Sequence, residues 1–205
     1  MSTTATNILV IMLHGVGSSG NDLAPLGHTW KATLPNAVFV STNAPAPSSF
    51  GSGYQWFSVA GVTEENRSAR IVAARPSFDR VISWIIAENG FADKLDRVAL
   101  VGFSQGTIMA LDAVASGRWP VGAVVGFSGR LASPLPLQPA LETSILLVHG
   151  SADPVIPATE TSEAAAALQT IGLKVETITL AGVPHTIAAE GAARAGSFLA
   201  EAFLK

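Results

Sequence analysis

Arg97-Val98-Ala99-Leu100-Val101-Gly102-Phe103-Ser104-Gln105-Gly106-Thr107-Ile108-Met109-Ala110-Leu111-Asp112-Ala113-Val114 decides how this chain is read. Val98 to Val101 is a short apolar run with charge on its left, and Thr107 to Val114 reads as a helix. Gly102-Phe103-Ser104-Gln105-Gly106 therefore falls at a strand-to-helix turn, where a Gly-x-Ser-x-Gly nucleophile turn belongs. The need for the two glycines is steric. A turn tight enough to hold a serine in a strained backbone conformation tolerates only small residues two positions before and after it.

Working outward, the same apolar texture recurs. Ile8 to Leu13 is continuously apolar, as a strand buried on both faces of a parallel sheet is. Ala37 to Val40, Val121 to Val125 and Ile145 to Val148 extend the set, and the alternation over Val175 to Leu180 predicts a sixth strand near an edge. Between them lie helical spacings. Leu23, Leu26, Trp30 and Leu34 form one; Phe78, Val81, Ile82, Ile85 and Ile86 form another, which Pro76 either begins or kinks. Thr159 to Leu168 and Ile187 to Phe203 complete them. Strands alternating with helices predict a doubly wound, mostly parallel α/β sheet with helices on both faces. The 205 residues suffice for a single domain, 1–205. Asn43 to Asn66 is a long Pro/Gly/Ser-rich stretch carrying Phe50, Tyr54, Trp56 and Phe57, of the length that functional loops reach.

Composition narrows the partners. Hydrophobic residues are 48%, charged residues 13%, and the formal net charge is −3. That balance points to neither nucleic acid nor an anionic membrane surface. The absence of cysteine removes disulfides, thiolate metal sites and a cysteine nucleophile. The N-terminal apolar run is too short for a signal core or a membrane span, so the expectation is a cytoplasmic protein without stable membrane insertion. No paired histidine and carboxylate spacing suggests a metal site.

A serine hydroxyl needs a base, and the base needs an anion to fix its tautomer. Of His14, His28, His149 and His185, only His185 lies well downstream of a plausible acid, between the sixth strand and the last helix. Of the acids between it and Ser104, Asp112 lies on the helix after the turn, Glu142 precedes a strand, and Glu160 and Glu163 belong to a helix. Asp153, four residues past the strand ending in His149, is the well-placed one. The backbone N–H of Gln105 and that of Val16, in the glycine-rich turn His14 to Gly20, are the expected oxyanion donors. His14 and His149 are expected to be structural and His28 superficial. Gly126-Phe127-Ser128-Gly129 imitates the nucleophile turn but leads into proline-rich loop, so it is given no chemistry. Trp56 and its neighbours stand open between a satellite core and the lining of an acyl pocket.

Leu13-His14-Gly15-Val16-Gly17, Trp56-Phe57, Gly102 to Gly106, Ser128-Gly129, His149-Gly150-Ser151-Ala152-Asp153-Pro154-Val155-Ile156-Pro157 and Gly182-Val183-Pro184-His185 together resemble the phospholipase/carboxylesterase family of α/β-hydrolases. The resemblance covers nearly the whole chain. It implies an α/β-hydrolase fold with little or no lid, a Ser104–His185–Asp153 triad, oxyanion donors at Val16 and Gln105, and no cofactor. The implied activity is hydrolysis of short- to medium-chain carboxylic esters, with acyl thioesters or lysophospholipids as alternatives and a non-catalytic binding protein of the same fold as the remote one. Trp56 and Phe57 are the expected substrate-binding residues, the expected partner is a small-molecule ester, and the expected state is a monomer or homodimer. Ser18 and Ser58 stand where the family often has aspartate, which bears on substrate more than on chemistry.

Overall fold

The computed structural model describes residues 7–203. Its centre is a six-stranded sheet in the order β2-β1-β5-β6-β7-β8, parallel throughout. The strands are β1 Ile8–Leu13, β2 Ala37–Thr42, β5 Val98–Phe103, β6 Ala123–Phe127, β7 Ser144–Gly150 and β8 Lys174–Leu180. Alternate residues of β1 divide the core. Leu9, Ile11 and Leu13 face one cluster with α2 (Glu64–Glu88), α3 (Gln105–Ala115) and α4 (Thr159–Thr170). Ile8, Val10 and Met12 face the other, with α1 (Gly20–Trp30) and α5 (Ala189–Phe203). Burial on both faces is why β1 and β5 are apolar at nearly every position. As the alternation predicts, β8 is an edge strand, buried at Val175 and Leu180 and more open between them.

Of the two readings of Pro76 the longer helix holds: the proline lies inside the 25-residue α2, and Thr63 caps that helix in a capping box with Asn66. The stretch before it is not structureless. Its two-residue strands β3 (Ala46–Pro47) and β4 (Tyr54–Gln55) form a small antiparallel hairpin. The hairpin is tied to the turn after β1 through Gly17 N–H to Tyr54 O at 2.9 Å and Tyr54 N–H to Ser18 O at 2.8 Å.

The chain moves outward from β1 to β2, then returns to place β5 on the other side of β1. This switch of direction opens a crevice at the carboxyl ends of β1 and β5, where open α/β sheets bind ligands. The His14–Gly20 turn and Ser104 both emerge there.

Candidate active site

Ser104 has φ 52° and ψ −114°, a strained conformation for a residue with a side chain, worth about 1–3 kcal/mol. The flanking glycines permit it. A Cβ at Gly102 would overlap the backbone N of Thr107, and one at Gly106 would overlap the carbonyl of Leu13. Ser104 N–H donates to Phe127 O at 2.9 Å, anchoring the turn to β6. The serine caps the N-terminus of α3, so the positive end of that helix faces the position where negative charge would form.

Asp153 and His185 sit on adjoining loops after β7 and β8. These loops are joined by Ser151 N–H to Leu180 O at 2.8 Å, Ala152 N–H to Val183 O at 3.0 Å and Gly182 N–H to Ser151 Oγ at 2.8 Å. His185 Nδ1 lies 2.6 Å from Asp153 Oδ2, and its Nε2 lies 3.1 Å from Ser104 Oγ. A carboxylate only accepts, so Nδ1 carries the proton and the Nε2 lone pair faces the serine. Burial alone would raise the Asp153 pKa, but hydrogen bonds from His185, Ile156 N–H and Val155 N–H outweigh it and hold the carboxyl below its usual range. The ring of Phe103 packs against His185 at 4.9 Å between centroids.

The other histidines are engaged differently. His14 donates from Nδ1 to Gly15 O at 2.6 Å and accepts Ala44 N–H on Nε2 at 2.9 Å. Burial lowers its pKa, and with both nitrogens committed it serves as a buried clamp on the turn. His28 is exposed. His149 is buried, with Nε2 2.9 Å from Ile156 O and 3.1 Å from Asp153 Oδ2, and with Nδ1 2.7 Å from Thr161 Oγ1. Two acceptors at Nε2 fix the proton there, leaving Nδ1 to accept from Thr161. Thus His149 touches the same carboxylate oxygen as His185.

Gln105 follows the serine in the chain, and Val16 follows Gly15, where an added Cβ would come within 3.3 Å of the Ser104 Cβ. Among the described residues neither backbone N–H has a protein acceptor. The side chain of Gln105, to which the sequence assigns nothing, pins the loop between β4 and α2. Its Oε1 accepts Trp56 N–H and its Nε2 donates to Phe57 O, each at 2.7 Å.

Phe50 and Tyr54 are exposed, whereas Trp56 and Phe57 are 3% and 8% exposed and belong to the core. The Trp56 indole N–H donates to His14 O at 3.0 Å and its ring packs edge-on to Phe78. Both residues border a cleft against α2 with Arg70 and Ser77, which Ser104, Asp153 and His185 do not line. In this geometry Trp56 supports the turn that begins at His14. Ser128 shares the positive φ of Ser104, at 48°. Its Oγ is buried without a hydrogen-bond partner, so no base attends it. Asp112 is wholly buried on α3 between Arg75, Arg118 and Ser133. Among the described residues no group of histidines and carboxylates could hold a metal ion, and no helix is long and apolar enough to cross a membrane.

A family model described as phospholipase/carboxylesterase matches residues 2–202. Esterase YpfH of Escherichia coli K12 is 38% identical over 148 residues, which are 72% of this chain and 62% of that protein. Acyl-protein thioesterase 1 of Schizosaccharomyces pombe is 28% identical over 174 residues, 80% of this chain and 76% of its own. The crystal structure of esterase PE8 superposes with a TM-score of 0.86 at 33% identity, covering 97% of this chain and 94% of that one.

Proposed function

Because the chain belongs to the phospholipase/carboxylesterase family of ester hydrolases, we propose that it is a serine carboxylesterase, one hydrolase domain acting on short- to medium-chain esters through an acyl-enzyme. The observation that carries this reading is the run of contacts Ser104 Oγ–His185 Nε2 at 3.1 Å and His185 Nδ1–Asp153 Oδ2 at 2.6 Å. His185 takes the serine proton as Oγ attacks the ester carbonyl, and Asp153 stabilises the imidazolium that forms. The N–H groups of Val16 and Gln105 hold the oxyanion. His185 then returns the proton to the departing alcohol oxygen, and water, activated by the same histidine, releases the acid. These steps call for no metal ion or cofactor. Trp56 and Phe57 contribute to substrate binding indirectly, by fixing the loop that meets Gln105.

A second reading, acyl thioester hydrolysis by the same groups, is favoured by the similarity to a protein named acyl-protein thioesterase. The deciding experiment is a fluorophosphonate label read together with p-nitrophenyl ester turnover. Wild type is expected to react, and Ser104→Ala to lose label and about 10⁴–10⁶-fold in rate. Label retained on the variant, at Ser128 for instance, would overturn the assignment. Butyryl thioester run beside the oxygen ester separates the two readings.

A further inference from the structure

A groove of about 570 Å³ runs between α1 and the start of α5 and ends at His185. That size lies within the range of small-molecule sites. Its lining is apolar at Leu23, Leu26, Phe103, Ile187 and Ala192 and polar at Ser18, Thr29 and Thr186, and Gly15 also borders it. One charged side chain that cannot lose its charge near neutral pH lines it, Asp22, and no lysine or arginine does. Asp22 Oδ2 is taken up by Ser18 Oγ at 2.6 Å and by Ser19 N–H at 2.8 Å and Ser19 Oγ at 3.1 Å. Hydrogen bonds from Ser18 and Ser19 hold its pKa below the ordinary carboxylate range. The other oxygen, Oδ1, has no protein partner among the described residues.

Resting on the esterase reading, we propose that this groove receives the alcohol half of the ester and that Asp22 makes it favour alcohols bearing a cationic group. Direction of proton flow assigns the half. When the tetrahedral intermediate collapses, the carbon–oxygen bond breaks with its electrons left on the alcohol oxygen, and the proton on His185 Nε2 goes to that oxygen. The acyl group stays on Ser104. The departing alcohol must therefore lie against His185, and this groove is a space that His185 lines. Within it, an apolar body meets α1 and α5, and an ammonium group reaches the free oxygen of Asp22, while a carboxylate is repelled.

The test is a set of three butyrates whose alcohols share one ring: 4-(aminomethyl)benzyl, 4-methylbenzyl and 4-carboxybenzyl. Wild type should favour the ammonium over the carboxylate ester by about ten-fold in kcat/KM at low salt, the product of a modest gain and a modest loss at an exposed charge. The ratio should shrink several-fold in about 0.5 M salt. Asp22→Asn, whose amide can still cap α1, should bring the ratio near one, whereas Glu88→Gln, a charge-matched change on exposed α2 surface, should leave it. A ratio near one in wild type, or one equally reduced by both variants, overturns the role of Asp22. Ala189→Trp, at an exposed position on the groove wall, fills the space independently of charge. It should lower kcat/KM for 4-methylbenzyl butyrate at least several-fold relative to methyl butyrate, and an unchanged ratio overturns the groove as alcohol site. Turnover of neutral esters without these preferences removes this inference and leaves the esterase; no turnover and no fluorophosphonate label removes both.

Discussion

Asp153 divides its oxygens between backbone and side chains. Oδ1 accepts Val155 and Ile156 N–H at 2.8 and 2.9 Å, while Oδ2 meets both His185 and His149. The carboxylate is thus held from four directions, and His149, buried and fixed by Thr161, sets the side from which His185 approaches. Replacing His149 with Phe preserves bulk and removes that contact. The expected result is a fall of about ten-fold in kcat with KM little changed, since a small misplacement of a reacting group costs rate rather than ground-state binding. Stopped-flow labelling by a fluorophosphonate should slow in the same proportion. A rate unchanged in a folded variant would show that Asp153 needs only its backbone donors. The contact between His149 and this carboxylate is not open to sequence reading. Asp153 was legible because it follows a strand and lies between Ser104 and His185 in the chain. The side-chain contacts of Gln105 with Trp56 and Phe57 cross nearly fifty residues, and no local pattern records them.

At the scale of elements, the loop before α2 is where physical form and sequence texture part. The strands of the main sheet announce themselves by continuous apolar runs, whereas β3 and β4 are two residues each, set among Pro, Gly and Ser. No periodicity can show in two residues. Similarly, α2 before Pro76 carries Glu, Asn and Arg on most faces, so only its second half reads as amphipathic. The aromatics of the loop separate in three dimensions into exposed Phe50 and Tyr54 and buried Trp56 and Phe57. Trp56 has a structural load: an indole hydrogen bond to His14 O and a packed edge on Phe78. Trp56→Ala should therefore destabilise by about 3–5 kcal/mol, a fall of roughly 10 °C in melting temperature for a chain of this size. Esters of every chain length should be slowed alike. A normal melting curve with altered chain-length preference would instead make the indole a pocket wall.

For the whole molecule, two buried carboxylates, Asp112 and Asp153, govern its response to acid. Asp112 of α3 accepts from Arg75 of α2 at 2.8 and 2.9 Å, from Arg118 at 2.9 Å and from Ser133 at 2.8 Å. Burial by itself would raise its pKa, but these donors outweigh that and lower it, as they do for Asp153. A group whose pKa is lower folded than unfolded stabilises the fold above the unfolded value, about 3.9 for aspartate. That stability is lost as pH falls through the folded value. Urea unfolding should accordingly show little loss from pH 7 to about 5 on account of these two groups and a steep loss below about 4. Asp112→Asn should cost about 3 kcal/mol near neutrality, and its deficit against wild type should narrow as pH falls toward 3. A deficit constant from pH 7 to 3 would mean that Asp112 acts through shape rather than charge.

The placement of the reactive groups across the sheet has a temporal side. Ser104 rises from β5, with a strand on each side of it, while His185 hangs from the loop after β8, whose one neighbour is β7. Peripheral ladders open at lower free energy than central ones. On the proposed mechanism the nucleophile rises from a central ladder, and its base hangs from the peripheral one, which opens at lower free energy. A momentary parting of β8 from β7 would leave the core intact and the serine without its base, and closure would restore it. The proposed mechanism therefore predicts that heating lowers ester turnover before it melts the core.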